Sequence, residues 1–391
     1  MSTASYDVPA RGTRPRNRRQ MIVKAAAGLF AEQGFPHVSM SDIAGAVAVG
    51  PSALYRHFPG KQELLVEVMV TRVASFASHV ADAARDNDPL RALAEAALEH
   101  RDFGALWERE SRHLDPSALR EINQSVLGVL ASLEAILKTQ QPGLSAPAAE
   151  LRTWTTIGVL MSPSFHHIEL PGTGLRDLLA EMAGAAIRTP PTSDLATGPD
   201  RVAQVGGQSR REQLLASAIA LFAERGYQSV GIEDIAAEAG LTGTSIYRHF
   251  EAKNDLLVAA MTRGAEWLRL DLNRALSRAS TPDSALSELV ASYAGLVLDQ
   301  PDLISVMLSE TGNLPDGDLR RIVKEQRGYI GEWIHLMADV HPDEPEDIAR
   351  VRVQAALSVT TTCARNARLR KLPSLAAELQ AAGAAVLGLP A

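Results

Sequence analysis

Apolar side chains recur at spacings of three and four residues along most of this chain, and that spacing predicts helices. Residues 17–33 are the first example, because Ile22, Ala26 and Phe30 share one face and Gly34 is a natural helix end. We find no convincing stretch in which apolar and polar residues alternate as they do in strands. The pattern therefore predicts an all-α protein.

Three more helices are predicted directly after the first one. Ser39 followed by Asp42 indicates a capping box that opens a short helix. After a turn near residue 48, a second short helix is predicted over about 51–57, because proline suits the first position of a helix. A longer helix begins near Lys61. Two short helices separated by a tight turn are typical of a helix-turn-helix.

The same order of elements recurs 192 residues later. Between Arg18 and Met69, 21 of 52 positions are identical to residues 210–261, without a gap. The repeat includes the sequence Tyr-Arg-His-Phe at 55–58 and 247–250, each followed three residues later by a lysine. The chain therefore contains a duplicated domain and not a short solenoid repeat.

Charge distinguishes the two copies. The whole chain has a net charge of −7, so any affinity for nucleic acid has to come from local patches. Residues 11–70 contain eight Lys and Arg against four Asp and Glu, whereas residues 203–262 contain five against seven. The first copy is basic and the second is acidic.

Proline and glycine divide the rest of the chain. Asp88-Pro89 and Asp115-Pro116 predict helix starts, and similar signals bring the expectation to about nine helices per copy. Residues 189–208 contain three prolines, three glycines and few large apolar residues, which predicts a linker. The predicted domains are a flexible basic arm (1–15), a first helix-turn-helix (16–60), a first helical body (61–188), the linker, a second helix-turn-helix (209–252) and a second body (253–391). The arm is either a solvated terminus or a segment that follows DNA.

Several functional classes find no support in the sequence. A single cysteine, Cys363, excludes an internal disulfide and suits a reducing cytoplasm. With no signal-peptide core and no run of 18 apolar residues, we predict a cytoplasmic protein without a membrane partner. We see no phosphate-binding loop, no nucleophile motif and no metal-ligand cluster, so we predict no enzyme activity, no cofactor and no metal.

The repeated residues resemble the TetR family of bacterial transcriptional regulators. The family pattern is Leu-Phe-x-x-x-Gly-[Phe/Tyr], then Ile-Ala, then Tyr-x-His-Phe and a nearby lysine. In the first copy it consists of Leu29-Phe30, Gly34-Phe35, Ile43-Ala44, Tyr55-x-His57-Phe58 and Lys61, and in the second of Leu221-Phe222, Gly226-Tyr227, Ile235-Ala236, Tyr247-x-His249-Phe250 and Lys253. The motif covers about 55 residues of each copy. The resemblance implies two all-α units, each with a three-helix DNA-binding domain and a helical regulatory and dimerisation body.

A helix-turn-helix places its second helix in the major groove of DNA. The predicted DNA-binding residues are Ser39, Ser41, Gly50, Pro51, Ser52, Tyr55, Arg56, His57 and Lys61 in the first copy, and Thr242, Gly243, Thr244, Ser245, Tyr247, Arg248, His249 and Lys253 in the second. The resemblance implies that the tyrosine, histidine and lysine of each motif contact phosphates. Alternatively, the tyrosines belong partly to the core, the histidines cap a helix end and the lysines start a solvated helix.

The turn before the second short helix differs between the copies. The second copy has Gly240 there, whereas the first has Ala48. A turn glycine serves a backbone conformation that alanine disfavours by about 1 kcal/mol. The first copy thus combines the more favourable charge with the less favourable turn.

The family works as homodimers in which a ligand bound in each body changes the separation of the two DNA-binding domains. Here both domains lie in one chain, so the resemblance implies a covalent pseudo-dimer. Its implied partners are a double-stranded DNA operator and an unknown small-molecule effector. Repression is the commoner mode of regulation in the family. Its four-helix bundle is expected from residues 146–166, 174–187, 344–370 and 373–387. In the alternative, only one copy binds DNA and the other is a dimerisation or ligand-sensing body; further pairing of the pseudo-dimer is left open.

The candidate ligand residues are chosen by residue type alone. Each of them is also well explained as a structural or surface residue. They are Trp107, Arg112, His113, Trp154, Met307, Glu310, Tyr329 and Trp333.

Overall fold

The computed structural model describes residues 18–192, 209–241 and 243–390. These residues form 18 α-helices, nine in each half of the chain, and no strand among them, which confirms the predicted all-α class and helix number. The predicted basic arm (1–15) and residues 193–208 of the predicted linker lie outside the described residues.

The first unit comprises residues 18–192. Its helices are α1 (Arg18–Gln33), α2 (Met40–Ala46), α3 (Pro51–Tyr55), α4 (Lys61–Ala83), α5 (Pro89–Glu99), α6 (Phe103–Glu110), α7 (Pro116–Gln140), α8 (Ala146–Met161) and α9 (Gly174–Arg188).

The second unit comprises the described residues from 209 to 390. Its helices are α10 (Arg210–Arg225), α11 (Ile232–Glu238), α12 (Gly243–Ile246), α13 (Lys253–Arg278), α14 (Pro282–Asp299), α15 (Pro301–Ser309), α16 (Asp316–Val340), α17 (Glu346–Ala364) and α18 (Leu375–Leu387). Short 3-10 turns lie at Phe35–His37, Ser111–His113, Ser162–Phe165, Tyr227–Ser229, Thr311–Asn313 and Leu369–Lys371.

The helix starts predicted from proline are present, with the expected caps. The carboxylate of Asp115 accepts hydrogen bonds from the backbone N–H groups of Ser117 and Ala118, both at 2.9 Å. Asp88 caps α5 in the same way through the N–H of Arg91 at 3.3 Å. These bonds satisfy amides that the first turn of a helix leaves free.

Each unit has a head, made of its first three helices, and a body made of the rest. The long helices α4 and α13 begin at the head and run into the body, so each is shared by both parts. By length and composition, α4 is the one described helix that is apolar enough to cross a membrane. Its apolar residues, among them Leu64, Leu65 and Val68, are buried in the core of the first unit.

The two units pack on each other through a four-helix bundle of α8, α9, α17 and α18. The expected segment 344–370 was too long at both ends, since α17 spans only Glu346–Ala364. It cannot begin at Glu344 because the next residue is Pro345, and a residue before proline avoids the helical region. Likewise α8 ends at Met161 and not at 166, because Pro163 follows in a 3-10 turn.

The bodies of the two units match with a shift of 200 residues. Helices α7 and α16 each have 25 residues, and they begin at Pro116 and Asp316. We call positions 200 residues apart equivalent. The heads keep the shift of 192 residues, and the difference of eight residues arises inside the body, chiefly because α14 has 18 residues and α5 has 11.

Helices α8 and α17 cross at the equivalent positions Gly158 and Ser358. The hydroxyl of Ser358 donates to the carbonyl oxygen of Gly158 at 2.7 Å. A β-carbon on Gly158 would lie 2.5 Å from the Cα atom of Val359, a distance that real side chains do not adopt. The close approach of the two backbones therefore depends on glycine at this position.

Two ion pairs join the units on either side of this crossing. Arg152 on α8 lies 3.7 Å from Glu378 on α18, and both side chains are buried almost completely. At the equivalent position on α17, Arg352 lies 2.9 Å from Glu181 on α9, whose side chain is largely exposed. The pairs are related in placement but not in environment, so the interface is only approximately symmetric.

Substituting alanine for Gly158 tests the crossing. We expect Gly158→Ala to lower the free energy of unfolding by about 1–3 kcal/mol, because the new methyl group has to push two backbones apart. Urea denaturation followed by circular dichroism measures the change. The control is Gly128→Ala on the exposed face of α7, where no atom lies within 4 Å of the new β-carbon. That variant should gain about 0.5–1 kcal/mol, since alanine favours helices more than glycine does; equal effects of the two substitutions would contradict the close crossing.

Candidate functional site

The sequence Tyr-Arg-His-Phe divides into an exposed part and a buried part in both heads. Phe58 and Phe250 lie in the core, whereas Tyr55 and Tyr247 are each 53% exposed. The arginine and histidine between them are also exposed in both copies. Each head thus presents a tyrosine, an arginine and a histidine to solvent from a segment that the following phenylalanine anchors.

The second short helix is shorter than the predicted 51–57. Helix α3 ends at Tyr55, and Arg56 occupies the position that caps its C-terminus. Its counterpart α12 ends at Ile246. The Arg56 Nε group donates to the carbonyl oxygen of Ser52 at 3.3 Å, and Arg248 Nη2 donates to the hydroxyl of Ser245 at 3.1 Å. Thr242 and the side chains of Pro51 and Thr244 lie outside the described part of the chain.

Ser39 has a structural function in the first head. Its hydroxyl accepts a hydrogen bond from the N–H of Asp42 at 3.1 Å, and the Asp42 carboxylate accepts the N–H of Ser39 at 2.8 Å. The predicted capping box at the start of α2 is therefore formed. The Ser39 hydroxyl also donates to the Asp42 carboxylate at 2.6 Å, and this bond, together with the one from the Ser39 N–H, holds the pKa of the Asp42 carboxyl below its usual value. Ser41, two residues further along, is exposed.

Lys61 and Lys253 point inwards in both heads. Lys61 Nζ donates to the carbonyl oxygen of Phe35 at 2.7 Å and lies 4.3 Å from the centre of its ring. Lys253 Nζ donates to the carbonyl oxygens of Tyr227 at 2.8 Å and Val230 at 2.9 Å. Burial lowers the pKa of both ammonium groups. In this arrangement the lysines hold the loop that follows the first helix, and phosphate binding by them stays a prediction.

Two arginines gain a function that the sequence did not assign to them. The guanidinium carbon of Arg19 lies 4.9 Å from the centre of the Phe58 ring, and Arg211 stacks in the same way on Phe250 at 4.8 Å. Arg19 also forms an ion pair with Glu67. Both arginines are identities of the internal repeat, and that identity was the only available signal.

The turn between the two short helices has the same left-handed conformation in both heads. Ala48 has φ 51°, and Gly240 has φ 66°. Among the described residues, Ala48 is the one residue other than glycine with a positive φ. The alanine at this position in the first head is therefore strained, as its place in the sequence suggested.

Buried glutamates lie where each head meets its body. Burial raises the pKa of Glu110 in the first unit, while the N–H of Phe35 and nearby Arg109 act against that change. Arg109 Nη2 donates to the carbonyl oxygen of Phe30 at the end of α1, at 3.0 Å. The equivalent glutamate of the second unit, Glu310, is buried below the second head.

Arg112 of the first unit is the cationic partner of that second glutamate. It forms an ion pair with Glu310, and its Nη1 group donates to the hydroxyl of Ser309 at 3.1 Å and to the carbonyl oxygen of Phe222 at 3.5 Å. The position equivalent to Arg112 in the second unit is Gly312. This bridge from one unit to the head of the other therefore exists in one direction.

Two cavities in the described part of the bodies are lined by candidate ligand residues. The central cavity has a volume of about 570 Å³ and is lined by both units; the first-unit cavity has about 340 Å³ and is lined by first-unit residues only. Four of the eight candidate ligand residues, namely Trp107, Trp154, Met307 and Tyr329, line the central cavity. Trp107 and Trp154 line the first-unit cavity as well.

The other four candidates line neither cavity. Arg112 and Glu310 form the bridge between the units. His113 stacks on Phe35 with ring centres 5.4 Å apart, and burial lowers its pKa to about 4, with Arg112 and Lys61 adding to the effect. Trp333 is buried behind the wall of the central cavity, in edge contact with Tyr329.

Within the described ranges, one group of three side chains has the spacing of metal ligands: His79, Glu99 and His100. However, His100 Nδ1 lies 3.3 Å from a guanidinium nitrogen of Arg72. Arginine can only donate, so Nδ1 is the acceptor and the proton of the neutral ring lies on Nε2, towards the Ser75 hydroxyl at 3.1 Å. The group is better explained as a hydrogen-bond network than as a metal site.

Comparison with known proteins supports the assignment of the two heads to a family of DNA-binding domains. The family model for bacterial regulatory proteins of the tetR family matches the chain twice, at residues 22–68 and 214–260.

Three similar solved structures each correspond to less than half of this chain. A TetR-family regulator from Bordetella parapertussis 12822 is 22% identical with a TM-score of 0.36, over 37% of this chain and 77% of that one. A tetR-family regulatory protein from Rhodococcus RHA1 is 17% identical with a TM-score of 0.41, over 47% and 100%. A ketosteroid transcriptional regulator of Mycobacterium tuberculosis is 21% identical with a TM-score of 0.38, over 40% and 83%.

Exchanging the two turn residues tests the strain at Ala48. We expect Ala48→Gly to stabilise the first head by about 1 kcal/mol and Gly240→Ala to destabilise the second by about the same amount, because only glycine adopts a positive φ without cost. Hydrogen exchange of the amides in α2 and α11 reports the two heads separately. The protection of the α2 amides should rise in Ala48→Gly, and the protection of the α11 amides should fall in Gly240→Ala. The amides of α7 serve as an internal reference whose protection should not change.

Proposed function

This chain belongs to the tetR family of bacterial regulatory proteins as a tandem of two units, each with a DNA-binding domain, and we propose that it is a covalent pseudo-dimer that represses transcription until a small molecule binds. A DNA-binding transcriptional regulator follows from the family itself. The pseudo-dimer, the repression and the effector are our proposals.

The observation that carries the proposal is the equal presentation of the two motifs. Tyr55 and Tyr247 are equally exposed, and each is followed by an exposed arginine and histidine and by a buried phenylalanine. One such face occurs in each unit, and the units are joined through the bundle, as two subunits of a dimer would be. Two heads held in this way favour an operator with two half-sites about one helical turn apart.

The residues of each head divide into two proposed functions. Ser52 and Arg56, and in the second head Ser245 and Arg248, are proposed to face the bases, since they follow or lie on the second short helix. The tyrosines and histidines of the motif are proposed to contact phosphates, which orient a protein on DNA without reading its sequence. Because the first head is the more basic, we expect it to contribute more to the salt-dependent part of the affinity.

The path from effector to DNA is proposed to run through α4 and α13. Val73 and Phe76 on α4 line the first-unit cavity, and Leu268 on α13 lines the central cavity. Both helices begin at a head, at Lys61 and Lys253. A molecule that fills either cavity has to displace side chains of a helix whose other end supports a head, and this coupling would change the separation of the heads.

One observation favours a second candidate, in which only the first head binds DNA. Residues 203–262 have two more acidic than basic side chains, which disfavours contact with phosphates, whereas residues 11–70 have four more basic than acidic ones. In that case the second unit would be a dimerisation or ligand-sensing body.

Separate substitutions of the two motif arginines distinguish the two candidates. If both heads bind, Arg56→Ala and Arg248→Ala should each weaken operator binding by about 1–3 kcal/mol, the cost of losing one base contact. Nuclease footprinting locates the operator, and a gel-shift titration at fixed salt measures the affinity.

The matched control is Arg85→Ala, an exposed arginine near the far end of α4 that pairs with Asp82. It should leave the affinity unchanged. A silent Arg248→Ala beside a damaging Arg56→Ala would support the second candidate. Failure of the intact chain to protect any two-part site would overturn the pseudo-dimer.

A further inference from the structure

The central cavity lies beside the approximate two-fold axis that relates the units, and most of its lining comes from the second body. Helices α8 and α17 cross at the equivalent positions Gly158 and Ser358, so the axis passes through this crossing. Ser358 itself lines the central cavity. The cavity is therefore next to the axis and is open to both units.

Its lining contains both members of several equivalent pairs. Trp107 lines it together with Met307, and Trp154 lines it together with Gln354. Since each pair occupies the same position in the two units, a strictly symmetric dimer would present two identical side chains at these places. Here the first unit contributes an indole and the second a slimmer or more polar group.

The same contrast continues at two further pairs. Met161 of the first unit faces the cavity with Thr361 of the second, and Phe165 with Arg365. At these positions the first unit consequently presents aromatic and thioether groups, with Glu108 beside them, and the second unit presents amide, hydroxyl and guanidinium groups within a wall that is otherwise largely apolar. A site with two unlike walls on a two-fold axis cannot be built from identical subunits.

The tryptophans also explain why the two cavities differ in extent. Trp107 and Trp154 line both cavities, so they form the partition between the first-unit cavity and the centre. At the equivalent places of the second unit, Met307 and Gln354 leave the cavity of the second body open towards the centre. A molecule in the central cavity would therefore touch both bodies.

The charges at the central cavity balance. Glu108 of the first unit and Arg365 of the second both line it and form an ion pair with each other across the units. No net charge therefore remains in the lining to compensate a buried anion or cation, so the cavity favours an uncharged molecule. Gln354 and Gln326 have no hydrogen-bond partner among the described residues, so their amide groups are free to bind polar atoms of a ligand.

We propose that the central cavity is one composite effector site per chain, and that it takes an uncharged molecule with an apolar ring system and a hydrogen-bonding group at one edge. The rings would pack on Trp107, Trp154 and Phe165, and the polar edge would face Gln354 and Gln326. Its volume is in the range of pockets for drug-sized ligands, about 300–1,000 Å³. Its role as an effector site rests on the proposed regulatory function, whereas its ability to bind does not.

Prodan, an uncharged naphthalene dye with a carbonyl group at one end, is a suitable probe because its emission shifts to the blue in apolar surroundings. The comparison dye is 8-anilinonaphthalene-1-sulfonate, which has naphthalene rings and a negative charge. We expect the full-length chain to bind prodan at least tenfold more tightly than the sulfonate.

Two substitutions at the cavities locate the bound dye. Leu130→Trp fills the first-unit cavity, and this variant should still bind one prodan per chain with unchanged affinity. Adding Gln354→Trp, which copies the first unit's partition into the second, should weaken prodan binding at least tenfold. Gln354→Leu adds no bulk and removes only the amide; it should weaken binding severalfold, and it keeps the test valid if the tryptophan variant does not fold.

The proposal is overturned if the chain binds no prodan, if the sulfonate binds more tightly than prodan, or if folded Gln354 variants bind as the wild type does. Circular dichroism establishes that each variant is folded. If the chain binds prodan but protects no operator, the proposed regulatory function is overturned and the proposed binding site is not.

Discussion

The close crossing of α8 and α17 is the contact on which the rest of the arrangement depends. Gly158 lets the two backbones meet, and Ser358 adds a hydrogen bond between the units at the same point. Around it, the buried pair of Arg152 and Glu378 requires both partners, because removing one would leave an uncompensated buried charge. The crossing therefore sets how the bodies face each other, where the central cavity lies and how the heads are held.

Duplication within one chain makes it possible for equivalent positions to differ. Arg112 bridges to the second head, whereas its equivalent Gly312 has no side chain with which to bridge to the first. Arg352 pairs at the edge of the interface with an exposed glutamate, whereas Arg152 is enclosed. Differences of this kind make the two heads unequal in their support as well as in their charge. In the proposed regulator, an effector bound in one body therefore need not act on both heads equally.

The heads could be predicted from the sequence far better than the rest, because their motif is local and occurs twice. The positive φ of Ala48, the capping box at Ser39 and the helix starts after Asp88 and Asp115 follow from residue chemistry within a few positions. The inward course of Lys61 could not be predicted, since an ammonium group can donate to a carbonyl oxygen as well as to a phosphate. The bridge from Arg112 and the Trp107 partition depend on how distant helices pack, and no short-range pattern encodes that.

The tie between the end of the first unit and α18 has a consequence for how the protein assembles. Both the N–H and the hydroxyl of Thr192 donate to Glu378 at 2.6 Å, so the chain is fastened to the second unit just as it leaves the first. Pairing of the units is thus intramolecular and independent of protein concentration. A regulator that must first dimerise loses its active form steeply when few copies are present in a cell. In the proposed pseudo-dimer a single molecule already has both heads, so operator occupancy should vary with the first power of its abundance.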